Sequence, residues 1–179
     1  MHELTDKELT FALLRKEASA FEELYRRFSG GLYRYAGTLL GNKTESEDIV
    51  QQTFVNVYRA ILRGQRPKVL SAYLYSAARH ETLKRIRSES REVEARQAWG
   101  ELQKEQKSAG MEFKDTATRH IFEALRGLPL EQAEVILLHV FAGLTFQEVA
   151  AVQKAPLKTC YKRYTLASGK LKEQLHDIF

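Results

Sequence analysis

Apolar residues recur along the chain at spacings of three and four, which is the pattern of helices with one buried face. The longest stripe occupies Ala18 to Leu40, and the Gly41-Asn42 pair after it predicts the end of that helix. Alternation of apolar and polar residues, the mark of a half-buried strand, does not stand out. The pattern therefore predicts an all-α protein.

The first half of the chain contains four predicted helices that enclose one core. Thr5 and Glu8 predict a capping box at the start of the first helix, and Thr44 is the predicted N-cap of the third. A loop with Gly64 and Pro67 separates the third helix from the fourth, which is predicted from Ser71 to about Arg87. The predicted buried stripes comprise Leu9, Leu13, Leu14, Phe21, Leu24, Tyr25, Phe28, Leu32, Tyr35, Ala36, Leu39, Leu40, Val50, Phe54, Val57, Tyr58, Ile61, Leu74, Ala77, Ala78, Leu83 and Ile86.

The composition changes after the fourth helix. Residues 89–114 are rich in Glu, Gln, Lys and Arg, which predicts a partly helical linker without a core of its own. Two small helical domains, 1–88 and 115–179, are therefore expected on either side of it. The second is near the lower size limit for independent folding, so we expect only marginal stability when it is isolated. Its predicted buried positions are Ile121, Leu125, Leu128, Val135, Leu138, Phe141, Cys160, Tyr164, Ala167, Leu171 and Leu175.

Charge singles out the end of the chain. The net charge is +5 and the pI about 9.3, a modest excess that means little by itself. Residues 158–172, however, carry five basic residues and no carboxylate. They follow a short helix and a tight turn. Thr145 is the predicted N-cap of the short helix, and Ala150 lies where the two helices are expected to cross. This pattern fits a helix-turn-helix whose second helix binds in the major groove of DNA. The other interpretation is a basic helix face that is only solvated.

An enzyme, a metalloprotein and a membrane protein find little support in the sequence. The five histidines lack metal-ligand spacing, and no phosphate-binding glycine loop is present. His139 is interpreted as a partly buried histidine with a hydrogen-bond partner, and Cys160 as a small core residue. No apolar run approaches the length of a membrane span. We therefore expect a cytoplasmic protein with no catalytic residue, metal, cofactor, small-molecule substrate or membrane insertion.

Three segments of the first half, FEELYRRFSGGLYRYAGTLL, SEDIVQQTFVNVYRA and AYLYSAARHETLKRIRSE, closely resemble the first structured domain of bacterial sigma-70-type transcription initiation factors. The segment LPLEQAEVILLHVFAGLTFQEVAAV and the basic helix after it resemble their C-terminal domain. Two domains with only a linker between them point to the extracytoplasmic-function (ECF) subgroup. The most specific element is the pattern Glu47-Asp48-x-x-Gln51-x-x-Phe54.

The resemblance implies a subunit that binds core RNA polymerase and directs it to promoter DNA. The helix with this pattern would dock on the β′ clamp through Glu47, Asp48, Gln51 and Gln52, and the β flap is a second expected contact. In the other interpretation, the acids at the start of this helix only complement its own dipole.

The resemblance also implies which residues meet the promoter. The expected −10 contacts are Arg66, Lys68, Tyr73, Tyr75, Arg79, His80, Lys84 and Arg87. Tyr73 and Tyr75 either stack on bases or pack in the core. The expected −35 contacts are Lys158, Thr159, Tyr161, Lys162, Arg163 and Thr165.

Several positions depart from the family pattern. Tyr73 stands where tryptophan is common, His80 where asparagine is and Lys84 where aspartate is. Lys154 replaces the usual turn glycine, at a cost of about 1 kcal/mol if the residue must be left-handed. The promoter sequence cannot be carried over from the family for this reason.

Two functional hypotheses follow. The first is an ECF-type sigma factor controlled by an anti-sigma factor. The second is a sigma-like helix-turn-helix regulator or decoy that does not itself initiate transcription. It is motivated by the departures at His80, Lys84, Lys154 and Tyr161.

Overall fold

The chain is helical throughout the part that the structure describes. The structure is a computed structural model and describes residues 4–98 and 116–176. Its helices are α1 (Asp6–Leu14), α2 (Ala18–Leu40), α3 (Lys43–Leu62), α4 (Leu70–Ala98), α5 (Thr116–Arg126), α6 (Leu130–Ile136), α7 (Phe146–Gln153) and α8 (Leu157–Leu175), with a π-helical segment, Leu137–Phe141, continuing α6. No strand occurs within these residues, and the all-α prediction is confirmed.

Local side-chain chemistry sets most of the helix ends. At the start of α1 the Oγ1 atom of Thr5 accepts a hydrogen bond from the backbone N–H of Glu8 at 3.3 Å, and the Glu8 carboxylate accepts from the Thr5 N–H at 2.8 Å. Thr145 and Glu148 form the same capping box at α7. Gly41 ends α2 with a left-handed φ of 66°. These three sequence predictions are confirmed.

Two predicted boundaries are wrong. The N-cap of α3 is Asn42 rather than Thr44, because the Asn42 Oδ1 atom already accepts from the Glu45 N–H at 3.2 Å and leaves Thr44 inside the first turn. Helix α4 does not end near Arg87 but continues to Ala98. No glycine or proline occurs between these two residues to stop it. The remainder of the predicted linker, residues 99–114, lies outside the described residues.

One apolar core runs through both halves of the chain. Leu24, Phe54 and Leu74 from the first half belong to the same contiguous cluster as Leu125 and Leu138 from the second, and each is at most 2% exposed. Burial of a side chain of this size contributes about 1.5–3 kcal/mol. The two halves therefore stabilise each other in this arrangement.

Two aromatic residues of the predicted stripes are not buried. Tyr25 is 47% exposed and Phe141 is 39% exposed. Each lies at the edge of its stripe and rests against a deeper ring: Tyr25 against Phe54 at 5.0 Å and Phe141 against Phe122 at 5.1 Å between ring centroids. The prediction that both point into the core was wrong for this reason.

Helices α2 and α4 carry the contact between the halves. Helix α4 packs along α7, while α2 packs against α5, α6 and the π-helical segment. This arrangement places the second half of the chain over one side of α4, the helix that is expected to meet the −10 element.

Candidate polymerase and promoter interfaces

The exposed side of α3 carries the residues predicted to bind polymerase. Glu47, Asp48, Gln51 and Gln52 are all exposed, while the opposite side of the helix is buried in the core. The Gln52 side-chain amide donates to Asn56 Oδ1, one turn later, at 2.8 Å. Packing thus uses one face of α3 and leaves its acidic and amide-bearing face to solvent.

The positions of the acids along α3 bear on their role. Glu45 lies in the first turn after the Asn42 cap, and its carboxylate pairs with Arg85, which raises the pKa of that guanidinium. Glu47 and Asp48 lie in the second turn. Because the effect of a helix dipole on a charge falls off within the first turn, the dipole interpretation explains Glu45 better than Glu47 and Asp48.

The loop between α3 and α4 presents two of the predicted −10 cations. Arg66 and Lys68 are both exposed, and the Arg66 guanidinium lies 5.4 Å from the centroid of the Phe11 ring, a cation–π contact. The end of the loop is tied to α1 because Asp6 Oδ2 accepts a hydrogen bond from the Leu70 N–H at 2.9 Å.

Helix α4 divides the other predicted −10 residues between solvent and interior. His80, Lys84 and Arg87 are exposed and follow one another at helical spacing, so they form one polar stripe, in which Lys84 and Arg87 supply the positive charge. Tyr73 is half-buried against the core. Tyr75, in contrast, is only 4% exposed.

Tyr75 and Arg79, one turn apart, both contact other helices of the chain: Tyr75 contacts α2, and Arg79 contacts α6. The Tyr75 ring meets Tyr35 edge to face at 5.7 Å, and burial raises the pKa of Tyr75 to about 12. Tyr75 was interpreted either as stacking on bases or as packing in the core, and in this arrangement it packs in the core. Arg79, whose side chain is 16% exposed, forms an ion pair with Glu134 of α6, with 3.0 Å between Nε and Oε1.

Glu134 lies at the centre of a buried polar network. Its side chain is 0% exposed, the Tyr35 hydroxyl donates to its Oε1 atom at 2.7 Å, and the Gln153 amide donates to Oε2 at 3.1 Å. Burial, followed by the adjacent Glu134 carboxylate, raises the pKa of Tyr35 well above its usual value. The network was not predicted, although one signal was present: Glu134 shares a helix face with Leu130 and Leu138, which places a carboxylate on an apolar stripe.

Helices α7 and α8 form the predicted helix-turn-helix. Lys154 ends α7 in the left-handed conformation, with φ of 51°, at a position where glycine is favoured. Ala150 is half-buried against the core, and its carbonyl accepts from the Ala155 N–H across the turn at 3.0 Å. The lysine therefore retains the turn at a strain cost of about 1–2 kcal/mol.

The predicted −35 residues lie on α8. Those that are exposed are Lys158, Tyr161, Lys162 and Thr165; Thr159 and Arg163 are half-buried. The Tyr161 ring packs against the ring of Phe146 on α7, with 4.4 Å between the ring centroids. Arg163 Nη1 donates to Gln153 Oε1 at 3.0 Å and so joins the network around Glu134.

The two side chains interpreted as structural are confirmed as such. His139 Nδ1 lies 2.7 Å from the Leu144 carbonyl, and the imidazole stacks on Phe146 at 4.0 Å. Cys160 is 0% exposed, and burial raises its pKa, which keeps it a poor nucleophile.

Residues 4–98 and 116–176 contain neither a metal-binding cluster nor a membrane-spanning helix. No cluster of His, Cys, Asp and Glu is placed to hold a metal ion. No helix among these residues has the length and apolar character to cross a membrane.

Two family models match the chain in sequence order. Sigma-70 region 2 matches residues 24–92, and Sigma-70 region 4 matches residues 119–171. The first match covers α3 and the exposed part of α4, and the second covers the helix-turn-helix. The candidate interfaces of both halves thus lie within the matched segments.

Individual proteins agree with the family models. Over 159 residues the chain is 25% identical to the ECF RNA polymerase sigma factor SigE of Mycolicibacterium smegmatis, covering 87% of this chain but only 62% of SigE. Over 191 residues it is 22% identical to the ECF RNA polymerase sigma-E factor of Haemophilus influenzae, covering 98% of both. The fold is similar to that of the sigma factor RpoE from Bartonella quintana, solved in complex with the anti-sigma factor NepR, with a TM-score of 0.74, 22% identity and coverage of 89% and 98%. The chain therefore belongs to the sigma-70 family of RNA polymerase sigma factors, in its ECF subgroup.

Proposed function

We propose that the protein binds core RNA polymerase as an ECF-type sigma factor and directs it to specific promoters. The observation that carries this proposal is the presence of region 2 and region 4 in one chain, each with exposed residues of suitable chemistry. A sigma factor positions polymerase and does not itself catalyse a reaction, so no catalytic residue, cofactor or small-molecule substrate is assigned. It acts in the cytoplasm, where polymerase and promoter meet.

The exposed face of α3 is the proposed contact with the β′ clamp. Glu47 and Asp48 supply charge, and Gln51 and Gln52 supply hydrogen-bonding groups on the same side of the helix. Exposed carboxylates steer the approach of a basic partner and fix its register. The β flap is the proposed second polymerase contact, on the region 4 half.

Promoter binding is divided between the halves. The loop cations Arg66 and Lys68 and the stripe formed by His80, Lys84 and Arg87 support a role at the −10 element, because a melted strand needs a cationic track. Tyr73, Tyr75 and Arg79 complete the proposed −10 set. Helix α8 is proposed to read the −35 element through Lys158, Thr159, Tyr161, Lys162, Arg163 and Thr165, since a helix of this kind docks in the major groove.

An anti-sigma factor is the proposed regulatory partner. The structural neighbour RpoE was solved in complex with the anti-sigma factor NepR, and its fold matches 89% of this chain. A partner of this kind would control the protein by covering its polymerase-binding or DNA-binding faces.

Run-off transcription with purified core polymerase tests the proposed function. Templates carrying upstream regions from the source genome should give discrete products only when the chain is present. The Glu47→Lys/Asp48→Lys variant should give none, because two reversed charges oppose docking. If the wild-type chain yields no promoter-dependent product on any upstream region, initiation is not its function.

A regulator or decoy is the second candidate, supported by the strained Lys154 turn and by the internal engagement of Arg163. A regulator of this kind would bind duplex DNA without polymerase, and its activity would be insensitive to charge reversal at Glu47 and Asp48. A decoy would bind polymerase without giving a product.

A further inference from the structure

The side chain of Gln52 on α3 is held from the neighbouring helix α4. Its Nε2 group donates to Asn56 Oδ1 at 2.8 Å, and Asn56 Nδ2 donates to Glu81 Oε1 at 3.1 Å. Gln52 is exposed, whereas Asn56 and Glu81 are half-buried. An exposed residue of the proposed polymerase contact is therefore the end of a chain of hydrogen bonds that begins on α4.

The Glu81 carboxylate sets the direction of both hydrogen bonds. A carboxylate accepts hydrogen bonds and donates none, so Asn56 meets it with its Nδ2 group. The Asn56 carbonyl oxygen is then the atom that faces Gln52, and only the Gln52 Nε2 group can donate to it. This leaves Gln52 Oε1 on the side away from Asn56, where the exposed side chain offers it to a partner as an acceptor.

That acceptor belongs to the same helix face as two carboxylates. Asp48 lies one turn before Gln52, so their side chains are neighbours on the helix, and Glu47 precedes Asp48. A partner that donates hydrogen bonds, such as a guanidinium or an ammonium group, meets negative charge at the carboxylates and a carbonyl oxygen at Gln52. With the Gln52 amide reversed, the same partner would meet N–H groups instead.

The packing of α4 on α3 does not depend on Glu81. Ile86 of α4 packs against the apolar cluster that contains Ile49 of α3, and Arg85 of α4 pairs with Glu45 of α3. Both contacts involve other side chains and remain when the Glu81 carboxylate is removed. A change at Glu81 is therefore expected to release the Asn56 and Gln52 amides without separating the two helices.

We propose that Glu81 and Asn56 are positioning residues for polymerase binding: they orient the Gln52 amide so that its carbonyl oxygen faces a donor group of the polymerase. The proposal rests on the proposed function, which assigns the exposed face of α3 to polymerase. Holding a flexible side chain in its bound orientation reduces the conformational entropy that is lost when the complex forms. Glu81 takes this role from another helix, 25 positions along the chain from Asn56.

The first readout uses the isotope-labelled full chain without polymerase. Proton–nitrogen NMR detects the side-chain amides, and the Gln52 signals are assigned by their loss in Gln52→Ala. The hydrogen-bonded Gln52 amide proton should exchange with water more slowly than the amide protons of the exposed Gln51. Glu81→Ala should abolish this protection and bring the two residues to the same exchange rate.

The second readout is the affinity for core polymerase, measured by competition against the labelled wild-type chain. Glu81→Ala should weaken binding about fivefold, as expected when one hydrogen bond is no longer pre-oriented. In a Gln52→Ala background the same change should alter the affinity less than about 1.5-fold, because no amide remains to be oriented. A merely structural role of Glu81 would weaken binding by the same factor in both backgrounds.

Glu94→Ala is the matched control, since it removes the same charge from an exposed position of the same helix. It should leave both readouts unchanged in either background. Should Glu81→Ala fail to fold, Asn56→Ala removes the middle link and should give the same loss of protection and the same dependence on Gln52.

Equal exchange of the Gln51 and Gln52 amides in the wild-type chain would overturn the proposal. An effect of Glu81→Ala on polymerase affinity that is the same with and without the Gln52 side chain would overturn it as well. A chain whose amides behave as expected but that does not bind core polymerase would confirm the orientation of Gln52 and overturn the proposed function.

Discussion

The proposed polymerase-binding face of α3 and the proposed strand-binding side of α4 both belong to the region 2 half, but they differ in what faces them. Glu47, Asp48 and Gln51 on α3 are exposed, whereas on α4 Tyr75 is buried against Tyr35 of α2 and Arg79 is paired with Glu134 of α6. The proposed polymerase contact is therefore open to a partner in this arrangement, whereas the Arg79 guanidinium is engaged within the chain.

The physical origin of the difference lies in where the counter-charges are. The Glu47 and Asp48 carboxylates are hydrated, so a partner that pairs with them must displace only water and ions. The Arg79 guanidinium is paired with a carboxylate that is itself fully buried. Breaking that pair exposes apolar surface as well as charge, so only a strong competitor achieves it.

The largest effect is expected from Arg79→Met. Removal of the guanidinium leaves the Glu134 charge buried with only Tyr35 and Gln153 as donors, which should lower the free energy of unfolding by about 3 kcal/mol. Urea unfolding followed by circular dichroism measures it. Arg91→Met, at an exposed position of the same helix, should cost less than about 0.5 kcal/mol. Equal effects of the two variants would mean that the buried pair is no different from a surface charge.

Charge reversal on α3 should come next. Glu47→Lys/Asp48→Lys should weaken binding to core polymerase about 100-fold, because like charges then meet across the interface. Competition against a labelled wild-type chain measures the affinity. Glu92→Lys/Glu94→Lys changes the net charge equally at exposed positions of α4 and should leave the affinity within about threefold. If both variants weaken binding alike, α3 is not the specific contact.

The contrast between α3 and α4 shows which features the sequence carries. The capping box at Thr5, the N-cap at Thr145, the glycine stop after α2 and the stripes at helical spacing depend on neighbours in sequence, and they were predicted. The N-cap at Asn42 was missed because the Gly41-Asn42 pair was assigned to the end of α2, although asparagine is a better N-cap by type than Thr44.

What the sequence could not show is which residues the two halves bring together. Tyr35 and Glu134 are 99 positions apart, so no local pattern connects them. From the sequence, Arg79 is interpreted as a DNA-binding residue, and Glu134 is an unexpected carboxylate in an apolar stripe. Their pairing is evident only from the packing of the two halves of the chain. The exposure of Glu47, Asp48, Gln51 and Gln52 was predictable, because the apolar stripe of α3 marks its buried face and these residues lie on the opposite face.

A smaller effect is expected at the turn that orients α8. Lys154→Gly should stabilise the chain by about 0.5–1 kcal/mol, since glycine adopts a left-handed φ without strain although it gains freedom in the unfolded state. Thermal unfolding measures it. Lys170→Gly, at an exposed interior position of α8, should instead destabilise by about 1 kcal/mol. A loss of stability at both positions would show that Lys154 is not strained.

The smallest effect concerns an ion pair at the surface, in contrast to the buried one. Arg26 and Arg27 donate hydrogen bonds to Glu23 and lower its pKa from 4.5 to about 2. A carboxylate whose pKa is lowered on folding stabilises the folded state at pH values above its pKa in the unfolded chain. This stabilisation is lost as the pH falls through its pKa in the folded chain. The difference in stability between wild type and Glu23→Gln should therefore be constant above pH 4.5 and shrink between pH 4.5 and about 2. A difference that is flat across this range would contradict the pairing.

Energy transfer between dyes at exposed positions of α2 and α8 tests most directly the claim that the two halves of the free chain pack on each other. The account predicts a single short separation for the free chain. A free chain that shows a long or a broadly distributed separation would contradict it.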